Sequence, residues 1–255
     1  MSRPLLLVTN DDGVEAMGIH ALADSLAELG EVVVVAPDRE RSAAGHSLTL
    51  HHPLRATKLS DNRYVVDGTP TDCVNWGVLH LLKGRRPQAV FSGINFGLNL
   101  GDDVTYSGTV SAAFEGALLG IPSVAFSQEI VSGFSFEPAA RFACELARAV
   151  LARPMPPGTL LNVNVPSGEI RGVRAVRMGR RSYQESVLEK TDPRGKKYYW
   201  IGAEPPAGQP DEGTDFWAIA EKYVSVTPLH LDLTDYAALP GLASLTAGLP
   251  MPTAG

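Results

Sequence analysis

Cysteine is scarce in this chain: Cys73 and Cys144 are its only two. They stand far apart, with no CxxC pair and no Cys/His spacing suited to zinc, so neither a disulfide framework nor a thiolate metal centre organises the sequence. Long apolar runs are missing as well, and none approaches the length needed to span a bilayer. The opening "MSRPLLLVTNDD" carries one Arg and an apolar core too short for a secretory signal. Positive charge is not in excess: the formal net charge of −6 argues against binding to nucleic-acid polymers or anionic membranes. These absences predict a cytoplasmic protein of a reducing compartment, with no membrane partner.

Several catalytic signatures are lacking too. No GxGxxG follows a strand and GxxxxGK[ST] is absent, which removes the main support for dinucleotide redox chemistry and for P-loop chemistry. No GxSxG nucleophile elbow occurs. Neither Cys begins a CxxxxxR phosphate loop and there is no DxDxT, so two covalent phosphatase routes are closed. Direct attack by a metal-bound water fits what remains.

What is present is a regular alternation. "PLLLVT" (4–9) and "EVVVVAPD" (31–38) are short apolar runs bounded by turn residues, as buried strands are. Between them Ile19, Leu22, Ala23, Leu26 and Leu29 recur at helical spacing. Further strands are predicted at "QAVFSG" (88–93), "IPSVAFS" (121–127), "TLLNVNVP" (159–166) and "YVSVTPLHLDL" (223–233). Helices are predicted at "PTDCVNWGVLHLL" (70–82), along the Val110, Ala113, Phe114, Ala117 and Leu118 face, and along Phe142, Leu146, Ala149 and Val150. Such alternation implies an α/β, doubly wound and mainly parallel sheet, whose ligands bind beyond the carboxyl ends of the strands. We expect a single α/β domain over 1–255, with a core at 1–180 and a hairpin arm and closing strand at 181–235. "SYQESVLEKTDPRGKKYYWIG" (182–202) supplies the arm, with Asp-Pro-Arg-Gly as its turn. The tail "GLPMPTAG" reads as frayed.

The strand ends carry the chemistry. Asn10-Asp11-Asp12-Gly13 is an ordinary turn composition, yet it puts adjacent carboxylates at the mouth of the first strand. "PDRERSAAGHS" (37–47) and "SGINFGLNLGDDVTYSGT" (92–109) reach the same sheet edge, while "DGTPTDC" (67–73) leads into a helix. The stretch 92–109 reads as one long irregular loop, either flexible surface or functional. Its polar members include Asn95, Asn99, Asp102 and Asp103, and its glycines let backbone approach a ligand. Ser107-Gly108-Thr109 opens a helix, as a plain N-cap or as a phosphate-binding terminus. Carboxylates, a hydroxyl and an amide oxygen are hard donors that suit Mg²⁺ or Mn²⁺ rather than zinc. The six His are scattered. His51 and His52 are expected in a strand or edge and His80 on a helix, while His46 lies in a candidate site loop and His230 beside "TPLHLDL".

Taken in order, "NDDG", "APDRERSAAGHSLT", "GTPTDC", "SGINFGLNLGDDVTYSGTVSAAFEG" and "VSVTPL" resemble the SurE family of survival-protein nucleotidases across residues 4 to 230. The resemblance implies a phosphatase that uses one divalent metal ion and acts on nucleoside 5′- and 3′-monophosphates, some members also trimming short polyphosphate. By motif, the family's metal ligands fall on Asp11, Asp12, Ser42 and Asn95. Asp11 and Asp12 also carry the catalytic role, and the phosphate-binding positions fall on Asn99, Ser107, Gly108 and Thr109. No family role maps onto His46 or His230. The resemblance further implies a Rossmann-like core and an arm exchanged between subunits, in a homodimer or a dimer of dimers. A non-catalytic nucleotide sensor built on the same loops is the alternative.

Overall fold

Apolar runs too short to form helices become strands buried on both faces. Leu5–Thr9 forms β1 and Glu31–Pro37 forms β2, paired in parallel from Leu5↔Glu31 to Val8↔Val34. They belong to a computed structural model that describes residues 3–153, 155–182, 187–201, 207–247 and 249. Between them α1 (Met17–Leu26) buries Ile19, Leu22, Ala23 and Leu26. A hairpin of β3 (Ala56–Ser60) and β4 (Arg63–Val66) follows, then α2 (Pro70–Trp76), β5 (Ala89–Phe96), α3 (Gly108–Leu118), β6 (Ser123–Gln128), α4 (Glu137–Ala152) and β7 (Thr159–Val165). The last part of the chain adds β8 (Gly172–Ala175), β9 (Arg181–Ser182), β10 (Val187–Thr191), β11 (Lys197–Ile201), β12 (Ala207–Gly208), α5 (Asp215–Ala220), β13 (Tyr223–His230) and α6 (Leu239–Thr246).

Nine strands form one sheet in the order β3-β4-β2-β1-β5-β6-β7-β13-β8. Pairing is parallel except between β3 and β4 and between β7 and β13. Strand alternation sends Leu6, Val8, Val34 and Phe91 to one face, where α1 and α4 cover them. Leu5, Leu7, Val33 and Val35 go to the other face, under α2 and α3. The doubly wound reading therefore holds. Strand order runs outward from β1 in both directions, which makes the β1/β5 boundary the topological switch point and leaves a crevice beyond their carboxyl ends.

Some local expectations are corrected. The stretch 92–109 is only partly irregular: β5 continues through Phe96, a 3₁₀ turn spans Gly101–Thr105, and α3 begins at Gly108. Pairing with β6 across a register shift, Asn95↔Ser127 and Phe96↔Gln128, carries the strand through residues that read as a loop. The helix expected at 70–82 is α2 followed by a π-helical turn, Gly77–Leu81, in which His80 lies. His51 and His52 sit in a bend ahead of β3 rather than in a strand. Of the expected frayed tail, 248 and 250–255 lie outside the described residues.

The hairpin arm is present. β10 and β11 pair antiparallel from Val187↔Ile201 to Thr191↔Lys197. Asp192 closes the turn, its Oδ1 accepting the amide protons of Arg194 and Lys196 at 2.9 and 2.8 Å. Every residue of both strands is exposed, including Tyr198, Tyr199 and Trp200. The flanks 183–186 and 202–206, which hold part of the expected Pro/Gly loop, are outside the described residues.

Candidate active site

The turn after β1 is both a turn and a presentation device. Asn10 Nδ2 donates to the Gly13 carbonyl at 2.9 Å, and Gly13 has φ of 99°, a left-handed conformation that favours glycine. Between those two residues Asp11 and Asp12 are held side by side. Asp11 is buried and accepts the hydroxyl proton of Thr109. Asp12 is more open, and its Oδ2 accepts the Phe96 amide proton at 3.1 Å. The loop after β2 is tied to the same place by the Arg41 amide, which donates to the Asp11 carbonyl at 2.7 Å. That tie sets Ser42 beside the pair, its hydroxyl donating to Glu40 Oε1 at 2.7 Å. From the end of β5, Asn95 spends its Nδ2 on the Gly97 carbonyl at 2.8 Å, leaving Oδ1 as an acceptor.

Asp11, Asp12, Ser42, Asn95, Asn99 and Ser107 all line one cleft of about 520 Å³. The three strand-end loops thus converge as the topology predicts. Gly108 and Thr109 lie behind the lining rather than in it. Thr109 is fully buried against Asp11, and a β-carbon at Gly108 would stand 2.9 Å from Asp11 Oδ2. Ser107 is the N-cap of α3, its Oγ accepting the Val110 amide proton at 3.1 Å while the residue still borders the cleft. Both readings of this segment are therefore compatible in one geometry: the cap orders the helix start and leaves its first amides near the acidic pair.

Both carboxylates of the pair lie above their ordinary range. Burial pushes the Asp11 carboxyl up to about 6, opposed by the Thr109 hydroxyl and reinforced by the Asp12 charge. Burial also raises Asp12, against the Phe96 amide and with added repulsion from Glu40. Among the described residues no cluster of three or more His, Cys, Asp or Glu could hold a metal. An ion held by the two carboxylates would find the hydroxyl of Ser42 and the amide oxygen of Asn95 in the same cleft as further oxygen donors. Four hard oxygen donors, two of them ionisable, fit Mg²⁺ or Mn²⁺.

The segment beyond Asn95 is held from below by buried polar groups. Asn164 Oδ1 accepts the Asn99 amide proton at 2.8 Å, and Asn162 and Asn164 both donate to the Asn99 carbonyl, at 2.8 and 3.0 Å. Asn99 Nδ2 donates to Ser127 Oγ at 2.8 Å. The fully buried Asp215 accepts from the amides of Gly101 and Gly179 at 2.8 and 2.7 Å, and burial raises its carboxyl against those bonds. "GTPTDC" proves to be a buttress: Asp72 completes a capping box with Thr69 and accepts from the Thr49 amide at 2.9 Å.

Sequence reasoning missed Glu40, Phe96, Tyr106 and Arg181, all of which line the cleft. Arg181 pairs with Asp103, and its amide donates to Asp102 at 3.0 Å. Its distance along the chain from the other lining residues hid it; the acidic pair Asp102-Asp103 was the available signal. His46 and His230 lie elsewhere, on a separate apolar cavity, with His46 Nε2 3.0 Å from Glu115 Oε2.

This geometry can be set beside known proteins. The family model for survival protein SurE matches residues 6–185. The chain belongs to the SurE family. The match runs from β1 past Arg181 and so takes in every cleft-lining residue. Among curated SurE relatives, a "5′-nucleotidase SurE" of Pelobacter propionicus is 57% identical, covering 92% of this chain and 96% of its own length. One from Geobacter sulfurreducens is 54% identical over 98% and 97%. The crystal structure of a SurE protein from Aquifex aeolicus superposes with a TM-score of 0.85 at 47% identity, covering 95% of this chain and 99% of that one. The doubly wound fold is thus a SurE fold.

Proposed function

We propose that this protein is a phosphoric monoester hydrolase of the 5′-nucleotidase type, hydrolysing nucleoside 5′- and 3′-monophosphates to nucleoside and phosphate. The observation that carries the reading is the meeting of Asp11, Asp12, Ser42 and Asn95 in one cleft with the N-terminus of α3. Its relatives' names, 5′-nucleotidase SurE, point the same way. Asp11, Asp12, Ser42 and Asn95 would hold one Mg²⁺ or Mn²⁺ ion. When bound, that ion supplies Lewis acidity toward a phosphoryl oxygen and acidifies a water.

The chain's own residues do the rest. Asp11, fixed by Thr109 and buried, is the rigid member of the pair. Asp12, whose Oδ2 is engaged by the Phe96 amide, has Oδ1 to orient the attacking water and take up its proton. Asn99 and the Ser107 hydroxyl would hold the phosphate, with Gly108 and Thr109 behind them supplying the helix terminus that stabilises the charge developing in flight. Phosphate release from a panel of 5′- and 3′-monophosphates, with chelator and with each metal, tests the reading. Metal-dependent turnover is expected; nucleotide binding without turnover would identify a sensor instead.

The same reading includes the assembly and the compartment. The exposed aromatics of β10 and β11 find no cover within this chain's described residues, which favours an arm exchanged with a second copy in a homodimer or dimer of dimers. Among the described residues no helix is long and apolar enough to cross a membrane. Cys73 and Cys144 are free, buried thiols, in keeping with the cytoplasm.

A further inference from the structure

Beside the acidic pair stands an aromatic ring that the phosphate chemistry does not use. Phe96 follows Asn95 directly, and its amide proton is given to Asp12, so its backbone is fixed at the reacting end of the cleft. Its ring lines the cleft and is 56% exposed. Phe134 meets that ring at a centroid distance of 5.3 Å and an interplanar angle of 74°. Phe134 in turn meets Phe136 at 5.2 Å and 85°, and Phe136 is buried in the main core. The chain of edge contacts anchors Phe96 to the core while leaving more than half of its surface uncovered. Met17 and Tyr106, also exposed, line the same cleft.

A large apolar ring left in water forgoes the gain of burial and is retained at a binding site when a ligand covers it. The cleft has hydroxyl, amide and helix-terminal groups suited to phosphate at one part and this braced ring next to them. A ligand filling both needs an anionic phosphate and a flat aromatic face in one molecule.

We propose that Phe96, braced through Phe134 onto Phe136, is the stacking platform for the nucleobase of the substrate. The inference rests on the proposed nucleotide hydrolysis and assigns the base end of the same site. Stacking is tolerant of base identity, because every base offers a π-face. Arg181 in the lining is paired with Asp103, and the ring itself selects for the presence of a base and favours purines over pyrimidines by their larger face.

The experiment compares wild type, Phe96→Ala and Phe96→Trp. The first readout is the ratio of kcat/KM for adenosine 5′-monophosphate to that for glycerol 2-phosphate, a phosphomonoester without a ring. The second is the dissociation constant of adenosine by equilibrium dialysis, which needs neither phosphate nor turnover. Phe96→Ala is expected to lower the ratio about tenfold and weaken adenosine about tenfold, within the range for one stacked base, and Phe96→Trp to restore both. An unchanged ratio together with unchanged adenosine binding overturns the proposal. So does an equal fall for both substrates with adenosine unaffected, which would mean that the residue only positions Asp12. Wild type that releases no phosphate from either ester, yet binds adenosine through Phe96, would refute the hydrolytic reading and leave the platform standing.

Discussion

Gly108 packs directly against Asp11: a β-carbon at position 108 would lie 2.7 Å from Asp11 Cβ and 2.9 Å from its Oδ2. The first residue of α3 and the buried carboxylate are fitted to each other with no space for a side chain. Gly108→Val is therefore expected to displace Asp11 and the helix start together. It should cost at least about tenfold in kcat/KM and about 1–3 kcal/mol of stability, as overpacking does. Phosphate-release kinetics beside a thermal melt check this, and wild-type kinetics in a folded variant would contradict it.

The proposed oxygen-only donor set predicts activity that depends on a divalent ion. Chelation should abolish phosphate release, and Mg²⁺ or Mn²⁺ should restore it. Asp11→Asn removes a charge with little change in shape, so it should keep the fold and weaken metal affinity by about tenfold or more. Titration calorimetry with Mn²⁺ gives the affinity. Full turnover by protein that elemental analysis shows to be metal-free would end the idea.

Without metal, Asp11 is a burden whose size depends on pH. Its carboxyl titrates near 6 in the folded chain against 3.8 in its unperturbed state. The folded form therefore holds the proton more tightly, and stability falls as pH rises from about 4 through 6, then levels off. The full penalty is about 3 kcal/mol by the linkage relation. Urea denaturation of chelator-treated wild type and Asp11→Asn should show their stabilities converging below pH 3.8. The variant should be the more stable of the two at pH 7. A difference that stays flat between those limits would show that Asp11 carries no such burden.

The arm prediction concerns assembly. Deleting residues 184–202 across a short Gly linker removes the hairpin and leaves β13 in the sheet. If the exposed ribbon is covered by a second copy, wild type is a dimer or larger by light scattering. The deleted chain should then be a monomer or fail to fold. A monomeric wild type, or a deletion that remains a well-folded dimer, would refute exchange.

The parts of this molecule that could be read in the sequence are those with a period or a motif. The runs at Leu5–Thr9 and Glu31–Pro37 and the helical face of Ile19, Leu22 and Leu26 gave the doubly wound sheet. The ordered loops then placed Asp11, Asp12, Ser42 and Asn95 in one cleft. Asn95 and Phe96 fall in a glycine-rich stretch that reads as loop, whereas pairing with Ser127 and Gln128 makes them strand. α5 and β8 are short and escaped because tertiary contacts, not local propensity, hold them. Phe96 and Arg181 escaped for another reason: an aromatic and an Arg carry no pattern until folding gives them neighbours.

The four hydrogen bonds that Asn162, Asn164 and Ser127 make with Asn99 have a kinetic meaning. A segment containing Gly97 and Gly101 is usually expected to exchange its amide hydrogens with solvent quickly. Here the Asn99 amide is tied to a side chain rooted in β7, and the Gly101 amide to the buried Asp215. Those two protons can leave only when β7 or α5 yields its side chain, so they should exchange far more slowly than loop motion alone would allow. A phosphate bound against this loop would meet it already in place, with little reorganisation left to oppose the reaction.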